Sequence, residues 1–175
     1  MRRRRRRTSA LVSIDRIERT IIRLRGHSVM LDSDLAELYG VTTKRLNEQV
    51  RRNIQRFPSD FMFQMTSPEF ENLRSQIATS SRSDHGGRRS LPFVFTEHGA
   101  IMAATILNSV RAVQMSIRVV RAFVGLRQLL ESNATLAKRL AALERKYDGQ
   151  FSAVFTAIRE LMSTRTLSKR RIGFS

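Results

Sequence analysis

Residues Asp32–Asn53 read DSDLAELYGVTTKRLNEQVRRN, two short helical patterns that meet at Gly40. In a helix-turn-helix unit the first helix needs a small residue where the second crosses it, and the turn needs a residue that accepts positive φ. Ala36 and Gly40 meet these needs. Leu35, Leu38 and Val41 supply the apolar face of the first helix, and Leu46 and Val50, four residues apart, turn the second helix toward the same core. Thr42 or Thr43 can cap that second helix, which leaves Thr43, Lys44, Asn47, Glu48, Arg51 and Arg52 on or near its outer face. Such side chains suit a DNA groove, since Asn pairs with adenine and Arg or Lys with guanine. Asp32, Asp34 and Glu37 stay on the first helix, away from the groove floor. Gln49 stands where many such units carry an apolar residue, which leaves room for a small rotation of the second helix. The bland reading of the stretch is two amphipathic helices with a glycine corner and a solvated basic face.

Working outward, the charge balance points to a polyanionic partner. The 175 residues carry 32 Lys and Arg against 15 acids, a net charge of +17, and such an excess favours phosphate neutralisation and counterion release. The excess sits mostly at the ends: ten Arg against two acids in residues 1–30, and nine bases against four acids in 131–175. The run Arg2–Arg7 repels itself and cannot enter a core, so it reads as a disordered arm. The apolar run that follows, ALVSI, is too short for a secretion signal, which needs roughly 7–15 residues. With no cysteine, disulfides and thiolate metal sites are excluded.

On either side of the opening stretch the punctuation is regular. Ile14, Ile17 and Ile21 have helical spacing, and Ile22, Leu24, Val29 and Leu31 flank RGHS as a hairpin would. A strand is expected near Phe61–Met65, followed by Ser67 as helix cap, Pro68 in the first helical position and a helix to about Ile77. ATSSRSDHGGRRS reads as a loop, in which Arg82, Arg88 and Arg89 beside two glycines could reach phosphate or a minor groove as a wing does, or be an idle solvated linker. LPFVFT follows as a strand able to pair with Phe61–Met65, and Thr96 caps a helix to about Leu107. The helix Val110–Leu130 has its polar residues Arg111, Gln114, Arg118 and Arg121 in one narrow stripe, so the rest of its surface is expected to be covered by protein. Its four arginines argue against a membrane span.

The segments VMLDSDLAELYGVTTKRLNEQVRRNIQRFPSDFMFQMT, NLRSQIATSS, LPFVFTEHGAIMAATILNS and IRVVRAFVGLRQLL, in that order, resemble the phage open-reading-frame-six N-terminal domain, a relative of the KilA-N DNA-binding domain. The resemblance covers about residues 14–130. It implies an α+β DNA-binding domain of phage and prophage regulators, including antirepressor-like proteins. The Arg2–Arg7 arm, the SRSDHGGRRS loop and the C-terminal tail depart from the family pattern.

Catalytic readings find little. His27, His85 and His98 have no i, i+4 partner, the acids lie mostly on amphipathic helices, and no glycine-rich phosphate loop occurs. In the tail, Leu136, Leu140, Leu143 and Tyr147, then Phe151, Val154, Ile158 and Leu161, form an apolar seam suited to a coiled coil or to packing back on the domain.

The expectation is an α+β fold, mainly helical, with short β-hairpins, a helix-turn-helix-like unit and a C-terminal helical tail. Its parts are a disordered arm over 1–13, a KilA-N-like domain over 14–130, a helical or coiled-coil tail over 131–163 and a disordered basic end over 164–175. The function expected is sequence-specific binding of double-stranded DNA by a cytoplasmic, nucleoid-associated regulator, homodimeric through its C-terminal helix. No enzymatic activity, cofactor, small-molecule substrate or membrane association is expected. The alternative is an antirepressor-like module that binds another protein through the tail and nucleic acid only non-specifically.

Overall fold

A computed structural model of the chain describes residues 12–78, 90–146 and 152–171. Ser13 caps a short helix α1 (Ile14–Glu18), its side chain accepting from the Arg16 N–H. A hairpin follows, β1 (Ile21–Leu24) and β2 (His27–Leu31), with Ile21 opposite Met30 and Leu24 opposite His27. Its two turn residues, Arg25 at φ 49° and Gly26 at φ 78°, are both left-handed, the turn whose twist matches that of the paired strands. The helix-turn-helix pair is α2 (Asp32–Tyr39) and α3 (Thr43–Arg52), followed by a single 3₁₀ turn at Ile54–Arg56. Then come β3 (Met62–Gln64), α4 (Ser67–Ala78), β4 (Phe93–Phe95), α5 (Glu97–Leu107), α6 (Val110–Lys146) and α7 (Ser152–Arg171). The fold is α+β, mainly helical, as the sequence implies.

The strands form one antiparallel sheet in the order β1-β2-β4-β3. β4 lies inside it, with Phe95 opposite both Met30 and Met62, so residues far apart in sequence close the sheet. Successive strand side chains point to opposite faces. Ile21, Met30, Met62 and Phe95 join the main core with residues of α1, α2, α3, α5 and α6. Ile22, Leu24, Val29, Leu31, Phe63 and Val94 face the other way, beneath Phe70 and Leu73 of α4.

Caps and close approaches explain the helix boundaries. Thr96 accepts from the Gly99 N–H, and its own hydroxyl donates to the Asp60 and Phe61 carbonyls, tying α5 to the entry of β3. A Cβ on Gly99 would collide with the Phe61 carbonyl, so only glycine fits there. His98, in the first turn of α5, stacks on Phe61 with ring centroids 5.5 Å apart. At α4 the cap is Thr66, one residue before the Ser67 expected from sequence. The Thr66 N–H donates to the Glu69 carboxylate and the Glu69 N–H to Thr66 Oγ1, a reciprocal capping box.

The structure corrects the reading of α6 twice. It runs past Leu130 to Lys146, since nothing between breaks it. Nor is it covered outside its polar stripe: Val110, Val113 and Ile117 are exposed. Arg118, by contrast, leaves that stripe to donate to the Val12 carbonyl. α7 folds back antiparallel on the end of α6, with Arg159 paired to Glu144 and Leu140 and Phe155 buried. No described helix is long and apolar enough to cross a membrane.

Candidate nucleic-acid interface

The turn between α2 and α3 is built as the spacing requires. Gly40 ends α2 at φ 72° and ψ 29°, and the N–H of Val41 returns to the Ala36 carbonyl at 3.0 Å. Thr42 caps α3, its hydroxyl accepting from the Arg45 N–H at 3.1 Å. Leu35, Ala36, Leu38, Leu46 and Val50 are buried together, and Tyr39 donates from its hydroxyl to the Ala100 carbonyl at 2.7 Å. Burial pushes the Tyr39 phenol well above its ordinary range, so it stays a donor. Arg111 of α6 reaches back to donate from Nε to the Leu38 carbonyl at 3.2 Å, clamping the turn onto the long helix.

With Leu46 and Val50 facing the core, α3 exposes Lys44, Arg45, Glu48, Arg51 and Arg52, while Thr43 is half-buried in its first turn. Arg45 belongs to this face although the sequence reading omitted it. The four cations outnumber the one carboxylate, and Arg51 and Arg52 also suit the negative end of the helix dipole. Arg56, just beyond the helix, is exposed as well.

Asn47 is not on the outer face, which corrects its expected place there. It is half-buried and donates from Nδ2 to Asp32 Oδ2 at 3.0 Å. Asp32, only 2% exposed, also accepts from the Ser33 N–H at 2.8 Å and the Phe93 N–H at 3.3 Å. A buried carboxylate survives only with such donors. Asp32 thus joins the start of α2, the middle of α3 and the start of β4, setting the pitch of α3 against the sheet. Asn47 Oδ1 is buried with no hydrogen-bond partner among the described residues. The loop bearing Arg82, Arg88 and Arg89 lies outside the described residues; beyond it Ser90 leads into β4, which begins at Phe93, beside this junction.

A second polar cluster locks the hairpin tip to α4. Arg25 donates to both carboxylate oxygens of Glu69, at 2.7 and 2.8 Å, and lies 4.6 Å over the Phe63 ring. Hydrogen bonds from Arg25 and from the Thr66 N–H hold the Glu69 carboxyl down at about 2. In the tail, Leu136 and Leu143 of the expected seam are half-exposed, Leu140 is buried, and Tyr147 and Phe151 lie outside the described residues. On α7, Val154, Ile158 and Leu161 are exposed. The Arg2–Arg7 arm also lies outside the described residues, and Val12, to which it leads, is held by Arg118. Among the described residues no three His, Asp or Glu side chains converge in a metal-holding group.

These features define a class: an α+β domain in which a helix-turn-helix pair with a basic outer face is mounted on a four-stranded antiparallel sheet. The model of the ORF6N domain matches residues 19–106, half of the chain, and the chain belongs to this phage-associated family. No curated protein and no solved structure matches it.

Proposed function

We propose that the chain is a sequence-specific, double-stranded DNA-binding regulator of the phage and prophage type, with α3 as its recognition helix. The observation that carries the reading is the exposed face Lys44, Arg45, Glu48, Arg51 and Arg52 on the second helix of a clamped helix-turn-helix. An α-helix fits the major groove, where side chains of this kind reach base edges and the flanking phosphates. Membership of the ORF6N family and the net charge of +17 support the same reading. Arg82, Arg88 and Arg89, from a loop that rejoins the fold next to α3, and the Arg2–Arg7 arm are proposed to add phosphate contacts. The chain acts by binding, in the cytoplasm, without a cofactor.

The second part of the proposal is a homodimer through the α6–α7 hairpin. The two helices bury Leu140 and Phe155 and leave Leu136, Leu143, Val154, Ile158 and Leu161 open. A second copy covers such a face by forming four helices, and two recognition helices read two half-sites. An antirepressor-like protein partner on that face is the competing reading.

The test is a fluorescence titration of labelled duplexes, random and selected, at two salt concentrations. The four α3 cations alone predict roughly a hundredfold loss of affinity between about 50 and 200 mM salt, and the arm and loop contacts steepen it further. Selected duplex should bind well above random, and Arg51→Ala and Arg52→Ala should each weaken binding. Equal affinity for all duplexes, or none for any, would overturn sequence-specific recognition.

A further inference from the structure

Glu48 is the anomaly of the α3 face. At about 100° per residue it lies about 160° around the helix from both Leu46 and Val50, so it is the side chain aimed most directly away from the core. Lys44 and Arg45 precede it by four and three residues, and Arg51 and Arg52 follow by three and four. Those are the spacings at which a carboxylate pairs with a cation on a helix. Glu48 nevertheless makes no ion pair among the described residues, although a cation stands at each of these four spacings. A free carboxylate thus stands at the centre of a face whose flanks are cationic.

We propose that Glu48 is a specificity-determining residue that selects cytosine at one position of the DNA site, an inference that rests on the reading of α3 as recognition helix. In a major groove the centre of the inserted face meets the base edges, and its flanks meet the phosphate walls. The flanking cations match the walls. An ionised carboxylate can only accept hydrogen bonds. Guanine offers O6 and N7, both acceptors, and thymine offers O4 and a methyl group, so both repel or fail to satisfy it. Adenine places the N7 acceptor beside its N6 donor, whereas cytosine presents the N4 amino group alone. Cytosine is therefore the base that Glu48 accepts. The same charge opposes phosphates, so Glu48 lowers affinity for every site that lacks the cytosine.

This assigns Glu48 a signature that a solvated surface acid lacks. Glu48→Ala should bind random duplex more tightly than wild type while losing selection at one position. Glu48→Gln should move that position from cytosine toward adenine, because an amide can both donate to N7 and accept from N6–H. Selection from a randomised duplex pool with wild type and both variants, each checked by a thermal melt, reads all of this. Discrimination for cytosine of roughly 5- to 150-fold is expected in wild type, falling to near unity in Glu48→Ala. Variants that retain the wild-type preference, or that lose affinity evenly for all sequences, would overturn the role of Glu48 and leave α3 as the recognition helix. A wild type that binds no duplex would overturn both.

Discussion

Replacing Gly40 with alanine probes the turn on which α3 is hung. Two costs follow from the geometry. At φ 72° any side chain pays the left-handed penalty, about 1–2 kcal/mol. The new Cβ would also lie 2.6 Å from Arg111 Cδ and 2.8 Å from Nε, so the Arg111 side chain must swing away. That breaks its bond to the Leu38 carbonyl, a charged hydrogen bond worth about 1.5–3 kcal/mol. Gly40→Ala should therefore cost about 2.5–5 kcal/mol. Arg111→Ala alone loses that bond without the left-handed penalty, the bond itself being worth about 1.5–3 kcal/mol. In the double variant there is no Arg111 left to displace, so its loss should equal that of Gly40→Ala alone. Urea melts of the four proteins close the cycle and should give a coupling of about 1.5–3 kcal/mol. Additive single losses would refute the clamp, and an unchanged Gly40→Ala would refute the turn geometry itself.

Other expectations can be checked on the folded protein. Asn47→Asp sets a second carboxylate against buried Asp32 and should destabilise by about 3–5 kcal/mol at neutral pH, with stability recovering as pH falls and one carboxyl takes a proton; a loss independent of pH would remove Asp32 from that junction. The Glu69 carboxyl, depressed to about 2 in the folded protein from an ordinary 4.5, contributes stability that is complete above about 4.5 and lost as pH falls toward about 2. The stability gap between wild type and Glu69→Gln should accordingly close across that window, and a gap constant with pH would contradict the Arg25–Glu69 lock. Leu143→Asp with Ile158→Asp, both exposed in the monomer, should halve the mass seen by light scattering without changing the melt of the domain; a wild type already monomeric at tens of micromolar would favour a different protein partner.

The sequence was informative where the signal is local. Gly26 and Gly40 are read as turns because the backbone there must be left-handed, and Thr42 and Thr96 because capping hydroxyls sit next to apolar periods. The capping box Thr66-x-x-Glu69 carried an equally local signal, but Ser67-Pro68 made a competing cap that is one residue late. Asn47 was misplaced for a different reason. Its partner Asp32 is fifteen residues away and is itself held by Phe93, sixty-one residues on, so no window around α3 reveals that the amide turns inward. Arg45, by contrast, stands about 100° around the helix from Leu46, so spacing alone puts it on the exposed face. Likewise periodicity shows that Val113 and Ile117 of α6 are apolar but not that tertiary packing leaves them exposed. The DNA contacts proposed for Lys44, Arg51 and Arg52 rest on their chemistry and their exposed position together.

The central claim, that the exposed face of α3 enters a DNA groove, has a direct test because the chain has no cysteine. A single cysteine introduced by Arg45→Cys can carry an iron chelate that cuts nearby DNA. The control is Arg74→Cys on α4, whose helix covers the opposite face of the sheet. On a selected duplex, the account expects cleavage confined to a few adjacent nucleotides from position 45 and none above background from position 74. Cleavage from position 74 with none from position 45 would contradict it.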